Sequence, residues 1–350
     1  MATSQVQDAQ YVTPRGRRIG ILPLVELAML AVLLIAPFAL SSRPELVTLA
    51  TNLLILSMLG ISFDLCWGYS GIMSFGQALF FGVAGYGVAL VGRDLDFSPF
   101  WGTLPLAALI GFGLALFFAF FLLLGRKKST TIFVALGTLT GSYAAERLVS
   151  GWQYVGAGNG LSSVKLLQIG PYDMVEGIGF YFLAFTLLAL LYALSRIIVR
   201  SQFGLVLAGI RQNEERLAFF GYRVQIYKAV IFSYAGLIAG LSGALFAYHQ
   251  GFIGPGNMGP GLSTTAVLYT LFGGAGTLVG PVIGTIAIEL LSYFLADVDA
   301  LKQIWPIILG LILLLVVVFK PTGLLGLIVG DRERIGSFRR GPLPGTKSKP

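Results

Sequence analysis

Cysteine, histidine and charge are nearly missing from this sequence. Its 350 residues include one cysteine, Cys66, and one histidine, His249. A lone cysteine inside an apolar run excludes a disulfide framework and a thiolate metal cluster. One histidine among scattered carboxylates offers no metal-ligand set and no nucleophile–base pair, so neither a metal nor a catalytic site is expected. Charged residues make up 11% of the chain, against about 25% in an ordinary soluble domain. The phosphate-loop pattern GxxxxGK[ST] is absent. The GGAG of 273–276 precedes an apolar run instead of opening a soluble βαβ unit, so it is no nucleotide fingerprint. No cofactor is expected in this chain, and whatever energy it uses, it does not hydrolyse ATP itself.

Hydrophobic residues, by contrast, form 56% of the sequence, and the mean hydropathy is +0.82. A bilayer-spanning helix needs about 20 apolar residues. Runs of about that length lie at 20–40, 46–66, 71–91, 102–124, 132–150, 178–199, 229–249, 278–295 and 304–319. A shorter run, 263–274, is either re-entrant or joined to its neighbour around the glycines. The expected fold is an all-α, polytopic membrane bundle of about ten helices (range eight to ten). The first run is too long for a signal-peptide core and lacks a small-x-small cleavage site, so it reads as a retained helix. Residues 1–19 form a polar tail, 20–328 the membrane domain, and 329–350 a basic tail expected to be disordered.

The net charge of +8 does not call for nucleic acid, because the basic residues are spread through the loops. With the N-terminus in the cytoplasm, 19 of the 24 Lys and Arg fall on the inner side, as the positive-inside rule requires. Both termini are then cytoplasmic, and 200–228 is a cytoplasmic loop. The longest outer loop, 151–177, contains GAGNG, whose glycines and Asn159 suit turns.

Small residues recur at four-residue spacing: Gly236, Gly240 and Ala244; Ala235, Ala239, Gly243 and Ala247; Gly276, Gly280 and Gly284. Such stripes let helices approach closely in lipid. Dense glycine also allows helices to break or slide. In GYSGIMSFGQALFFGVAGYG (68–87), Ser70, Ser74 and Gln77 follow an i, i+4, i+7 spacing and would share one helical face. That face either lines a translocation path or hydrogen-bonds between helices, since unpaired polar groups are costly in lipid. Glu289 lies near the middle of its run, with no basic partner evident. Asp64, Glu26, Glu146 and Arg147 fall near the ends of theirs, where interfacial positions account for them. His249, alone at a helix end, reads as a hydrogen-bonding aromatic.

In RSQFGLVLAGIRQNEERLAFFG (200–221), Asn213 is a favoured N-cap, and Glu214 and Glu215 occupy a first turn where the helix dipole favours anions. Gly221 suits a left-handed C′ position. This predicts a helix of roughly 214–220, with Leu217 and Phe220 as its apolar edge. Upstream, Phe203, Leu207 and Ile210 form a stripe that can lie against the membrane face. The segment resembles the cytoplasmic coupling motif of ABC-importer permeases, Glu-Ala-Ala followed by Gly. Glu215 and Gly221 keep the separation, while Arg216 and Leu217 replace the alanines. Closer still is the branched-chain amino-acid subfamily version, RSxxGxxLxAIRxNExxAxxxG, matched here by Arg200, Ser201, Gly204, Leu207, Ile210, Arg211, Asn213, Glu214 and Gly221. Gly209 stands where Ala is usual. The stretches 68–87, NGLSSV (159–164), 263–285 and FKPTGLLG (319–326) resemble further motifs of that subfamily, with Ser162 and Ser163 departing from it.

The resemblance, which covers about 46–328, implies a LivM-like permease subunit of a bacterial importer in the inner (cytoplasmic) membrane. It also implies its partners: a second permease of related fold, two ABC ATPases that bind ATP and magnesium, and an extracytoplasmic substrate-binding protein. Arg211 and Glu215 would contact the ATPase groove, Gly204, Asn213 and Glu214 would belong to the same coupling segment, and Phe203 and Ile210 would anchor it. Gly221 would set the exit of the short helix. Ser70, Ser74, Gln77, Ser263 and Glu289 are the candidates for the path. A urea or short-chain amide importer shares these motifs, although its members tend to carry SLGHG where this chain has SFGQA (74–78). A stand-alone secondary transporter would need an ion or proton site of its own.

Overall fold

The computed structural model describes residues 21–125, 131–162, 164–296, 307–308, 310–311 and 323–328. The expected tails, 1–19 and 329–350, lie outside these residues, as does most of the expected last span. Twelve α-helices occur among the described residues. They are α1 (Ile21–Ala39), α2 (Pro44–Asp64), α3 (Gln77–Asp94), α4 (Phe100–Leu122), α5 (Thr131–Gly151) and α6 (Ile178–Arg200). They continue with α7 (Gln202–Gln212), α8 (Glu214–Phe219), α9 (Val224–Gln250), α10 (Pro260–Gly273), α11 (Val279–Ala296) and α12 (Leu325–Ile328). Five are long and apolar enough to cross a membrane by length and composition: α1, α2 with the turn that continues it to Tyr69, α4, α6 and α9. The remaining helices are shorter or more polar, so they complete the bundle by packing rather than by hydropathy alone.

α9 is the central helix, packed against α2, α3 and α4. The small-residue stripes explain how. A methyl group at Gly236 would overlap Ala115 of α4, and one at Gly240 would press on the Ala107 carbonyl and Gly111. On the adjoining face Gly243 meets the backbone of Phe81 in α3. Hydroxyls stitch the same helices: Ser62 donates to the Ala235 carbonyl (2.7 Å) and Ser242 to that of Ile55 (2.6 Å). In lipid no water competes for such bonds, and close backbone approach supplies the van der Waals attraction.

Two expectations are corrected. The run 71–91 is not one helix. After α2 the chain makes a π-helical turn, Leu65–Tyr69, and then an irregular stretch to Gly76, with Gly71 at φ 72°. Ser70, Ser74 and Gln77 therefore share no helical face. The run 263–274 does not join its neighbour either. α10 has 14 residues, about 21 Å of rise, and is separated from α11 by a loop whose Gly274, Gly276 and Leu278 all have positive φ (121°, 80° and 58°). Glycine reaches that region freely; Leu278 does so at a cost of order 1–3 kcal/mol, so its surroundings must hold it there.

Among the described residues, strand content is confined to the end of the bundle remote from α8. β1 (Leu161–Ser162) pairs antiparallel with β4 (Phe252–Ile253), and β2 (Leu167–Ile169) forms a hairpin with β3 (Tyr172–Met174). GAGNG forms turns as its composition predicts, with Gly156 and Gly160 at φ 85° and 71°. His249 acts as a hydrogen-bonding aromatic at this end. Its ring stacks on Phe180 (5.6 Å), Nε2 lies 3.2 Å from the Thr48 carbonyl, and Nδ1 lies 3.6 Å from Glu176.

Candidate functional site

The segment 200–221 folds as two short helices. Ser201 caps α7 by accepting the Phe203 N–H (3.2 Å). Gly204 is required because a β-carbon there would overlap the Val199 carbonyl as the chain turns off α6. Leu207 and Ile210 are buried and Phe203 partly so, which fixes α7 against the bundle.

α8 spans Glu214–Phe219, close to the predicted 214–220. Asn213 is its N-cap, its Oδ1 accepting the Arg216 N–H at 2.9 Å. Gly221 stands at φ 87° with open space around its α-carbon, so backbone conformation and not crowding selects it. The Tyr222 N–H returns to the Leu217 carbonyl (3.2 Å), the 6→1 bond of a Schellman turn. Six residues do not hold a helix in water, and two contacts supply what is missing. Glu214 pairs with Lys228 of α9 (2.5 Å), whose side chain is nearly buried. Leu217 packs on α7 at Gly209, where a β-carbon would overlap its Cδ1. The two departures from the subfamily pattern, Gly209 for alanine and Leu217 for alanine, are thus partners across one contact.

The apolar edge differs from expectation. Leu217 faces α7, but Phe219 is 89% and Phe220 70% exposed. Beside them an open hollow of about 390 Å3 is lined by Phe203, Gly221, Tyr222, Arg223, Ile226 and Tyr227. Phe219 and Phe220 therefore form an exposed aromatic edge beside this hollow. Phe219 and Tyr222 were missed from sequence because an apolar residue at a helix end reads equally well as packing.

Arg211, two residues before Asn213, turns inward: its guanidinium donates to the Gly68 carbonyl in the π-helical turn. A contact between Arg211 and an ATPase groove would require it to leave that carbonyl. Next to it lies Asp64, fully buried and not interfacial as its position near a run's end implied. Its carboxylate accepts the Gly276 N–H (2.6 Å) and the Leu278 N–H (3.1 Å). Hydrogen bonds to a charged partner contribute about 1.5–3 kcal/mol each, enough to offset the positive φ of Leu278. The stretch 323–328 reaches the same loop, with Gly323 against Gly274 and the Leu324 N–H on the Phe272 carbonyl (2.8 Å).

The path candidates have most of their polar groups engaged, Ser70 and Ser74 locally, Ser263 and Glu289 between segments. Ser70 donates to the Cys66 carbonyl (2.6 Å), and Ser74 accepts the Gly76 N–H (3.1 Å). Ser263 of α10 donates to the Phe75 carbonyl (2.6 Å) and accepts the Ala78 N–H (3.2 Å). Gln77 Nε2 lies 3.4 Å from Cys66 Sγ, and its Oε1 is buried without a hydrogen-bond partner among the described residues. Glu289 has a partner that the sequence did not suggest, the hydroxyl of Tyr269. The structure thus gathers Ser74, Gln77 and Ser263 around 74–78, while Glu289 belongs to the α10–α11 contact. Glu26 is bound to Arg196 of α6. Among the described residues no three of His, Cys, Asp and Glu converge as a metal site would require.

Comparison with known proteins bears on the whole domain. The sequence model of the family described as "Branched-chain amino acid transport system / permease component" matches residues 45–317. The high-affinity branched-chain amino acid transport system permease protein LivM of Salmonella typhimurium is 25% identical over 327 residues, covering 86% of this chain and 75% of its own length. Its Escherichia coli counterpart is 25% identical over 324 residues, covering 85% and 74%. The autoinducer 2 import system permease protein LsrC of Salmonella typhi is 29% identical over 234 residues, 62% of each chain. No solved structure matches.

Proposed function

The chain belongs to the branched-chain amino acid permease family, as a LivM-like, multi-pass membrane component of ABC-type transport systems, and from that premise we propose that it carries branched-chain amino acids across a bacterial inner membrane as one subunit of an ATP-driven importer. Its partners in this reading are a second permease of related fold, two ABC ATPases and an extracytoplasmic binding protein. ATP and magnesium are bound by the ATPases, and both termini and the segment 200–228 face the cytoplasm. About ten spans then arise from the five strongly apolar helices together with α3, α5, the α10–α11 pair and the run 304–319.

The observation that carries the reading is α8. It is a capped six-residue helix, tied to the bundle by Glu214–Lys228 and Leu217–Gly209, that offers exposed Phe219 and Phe220 to a partner. Asn213, Glu214 and Gly221 form and hold it, Gly204 places α7 beneath it, and Glu215 meets the ATPase. Ser70, Ser74, Gln77, Ser263 and Glu289 are proposed path residues, Gln77 foremost because its buried carbonyl oxygen has no partner among the described residues.

The experiment is co-purification of the two ATPases on the tagged chain, followed by leucine uptake in proteoliposomes. ATP-dependent, binding-protein-dependent leucine uptake supports the reading. Leucine uptake by the purified chain alone would make it a secondary transporter instead. The likeness to LsrC makes competition of uptake by autoinducer 2, urea and short-chain amides the control on substrate.

A further inference from the structure

We propose that Arg211, with Asp64 and Gly68, is the positioning link that carries movement of α8 into the two interrupted stretches of the membrane domain. The inference rests on the reading that α8 meets an ATPase, and it concerns what happens on the membrane side of that contact.

Arg211 sits in the last turn of α7, two residues before the Asn213 that caps α8, so displacement of α8 is passed to its backbone. Its side chain leaves the cytoplasmic segment and enters the bundle, where the guanidinium donates to the Gly68 carbonyl. Glycines surround it and the neighbouring Asp64. A β-carbon at Gly71 would stand 3.5 Å from Arg211 Cγ, and one at Gly276 would stand 3.2 Å from Nη1. One at Gly68 would overlap the Asp64 carboxyl group and crowd the Gly276 N–H. The arginine therefore lies against both chain breaks at once, the π-helical turn after α2 and the loop between α10 and α11.

Asp64 fastens those breaks to each other. It belongs to α2, yet both its oxygens are spent on N–H groups of the 276–278 loop. A pull on Gly68 is thus shared by α2 and by the start of α11. From the same turn the chain runs through Gly71 to Ser74 and Phe75, where Ser263 ties it to α10 and Thr138 ties it to α5 (Phe75 N–H to Thr138 Oγ1, 3.0 Å). Breaks in helices are where a bundle bends without disturbing its regular hydrogen bonding, and one cation joins both of them to the coupling segment. The planar fork of arginine, which donates in fixed directions, suits such a wedge; lysine offers a point charge without that geometry.

The test uses the assembled transporter in proteoliposomes, with leucine as substrate, comparing the parent with Arg211→Lys, Arg211→Gln and Asp64→Asn. Two quantities are measured: leucine imported per ATP hydrolysed, and maleimide labelling of a cysteine at Met73, in a Cys66→Ala background, with and without ATP and vanadate. Labelling that changes with nucleotide in the parent, and loses that dependence in the variants while the ATPases still co-purify, supports the link. Leucine per ATP should then fall about tenfold, with Arg211→Lys the mildest. Parent-like leucine per ATP and parent-like nucleotide-dependent labelling in all three variants would overturn the link and leave the importer reading intact. Failure of any ATPase to bind the parent would overturn both. If Asp64→Asn does not fold, the two Arg211 variants decide the question.

Discussion

Asn213 and Gly221 determine whether α8 exists at all. Asn213→Ala removes the acceptor for the Arg216 N–H and should cost about 1 kcal/mol of local helix stability, read as faster amide exchange across 215–219. Gly221→Val forces a β-branched residue to φ 87°, a further cost of about 1–2 kcal/mol. It should uncouple ATP hydrolysis from uptake while the protein still reaches the membrane. Charge reversal at Glu215 should do the same while the protein still reaches the membrane. Asp64 is a different kind of residue. Asp64→Ala strands two buried N–H groups, about 1–3 kcal/mol each, and a clear drop in melting temperature in detergent should report it.

The elements show why some of this was legible in sequence and some was not. The cap, the acidic first turn and the terminal glycine of α8 are local rules, their capping and turn bonds spanning no more than five residues, and they located the helix to within one residue. Asp64 and Arg211 obey no local rule, because Gly276 and Gly68 lie 212 and 143 residues from them. Only the density of glycine in both stretches hinted at a close approach. The break before Gln77 escaped for a related reason: apolar residues with serines at helical spacing look the same whether or not the backbone follows. Gly209 and Leu217 carry a prediction at this scale. Gly209→Ala alone pushes against Leu217 and should destabilise the α7–α8 contact by about 1 kcal/mol. In a Leu217→Ala background, which makes room for the new methyl, the same Gly209→Ala change should cost almost nothing, a coupling that a double-mutant cycle on thermal stability measures.

At the scale of the whole molecule, composition alone announced a membrane protein, and the coupling segment with four further motifs announced its family, as the match over 45–317 bears out. Hydropathy was less able to count helices. α3, α5 and α10 gain their place from glycine contacts and hydroxyl bonds to neighbours, which a sliding average does not see. The charge distribution makes a separate prediction of sidedness. A cysteine at the exposed Tyr172 should be labelled by a membrane-impermeant maleimide from outside the cell. One at the exposed Phe219 should react only from the cytoplasmic side.

The central claim is that α8 is where ATPases drive this permease. Leucine uptake into proteoliposomes, with ATP inside and the binding protein outside, tests it most directly when the parent is compared with Glu215→Lys and Gly221→Val. The account predicts ATP-dependent uptake in the parent and its loss in both variants. Normal binding-protein-stimulated uptake in both variants, or uptake by the chain without any ATPase, would contradict it.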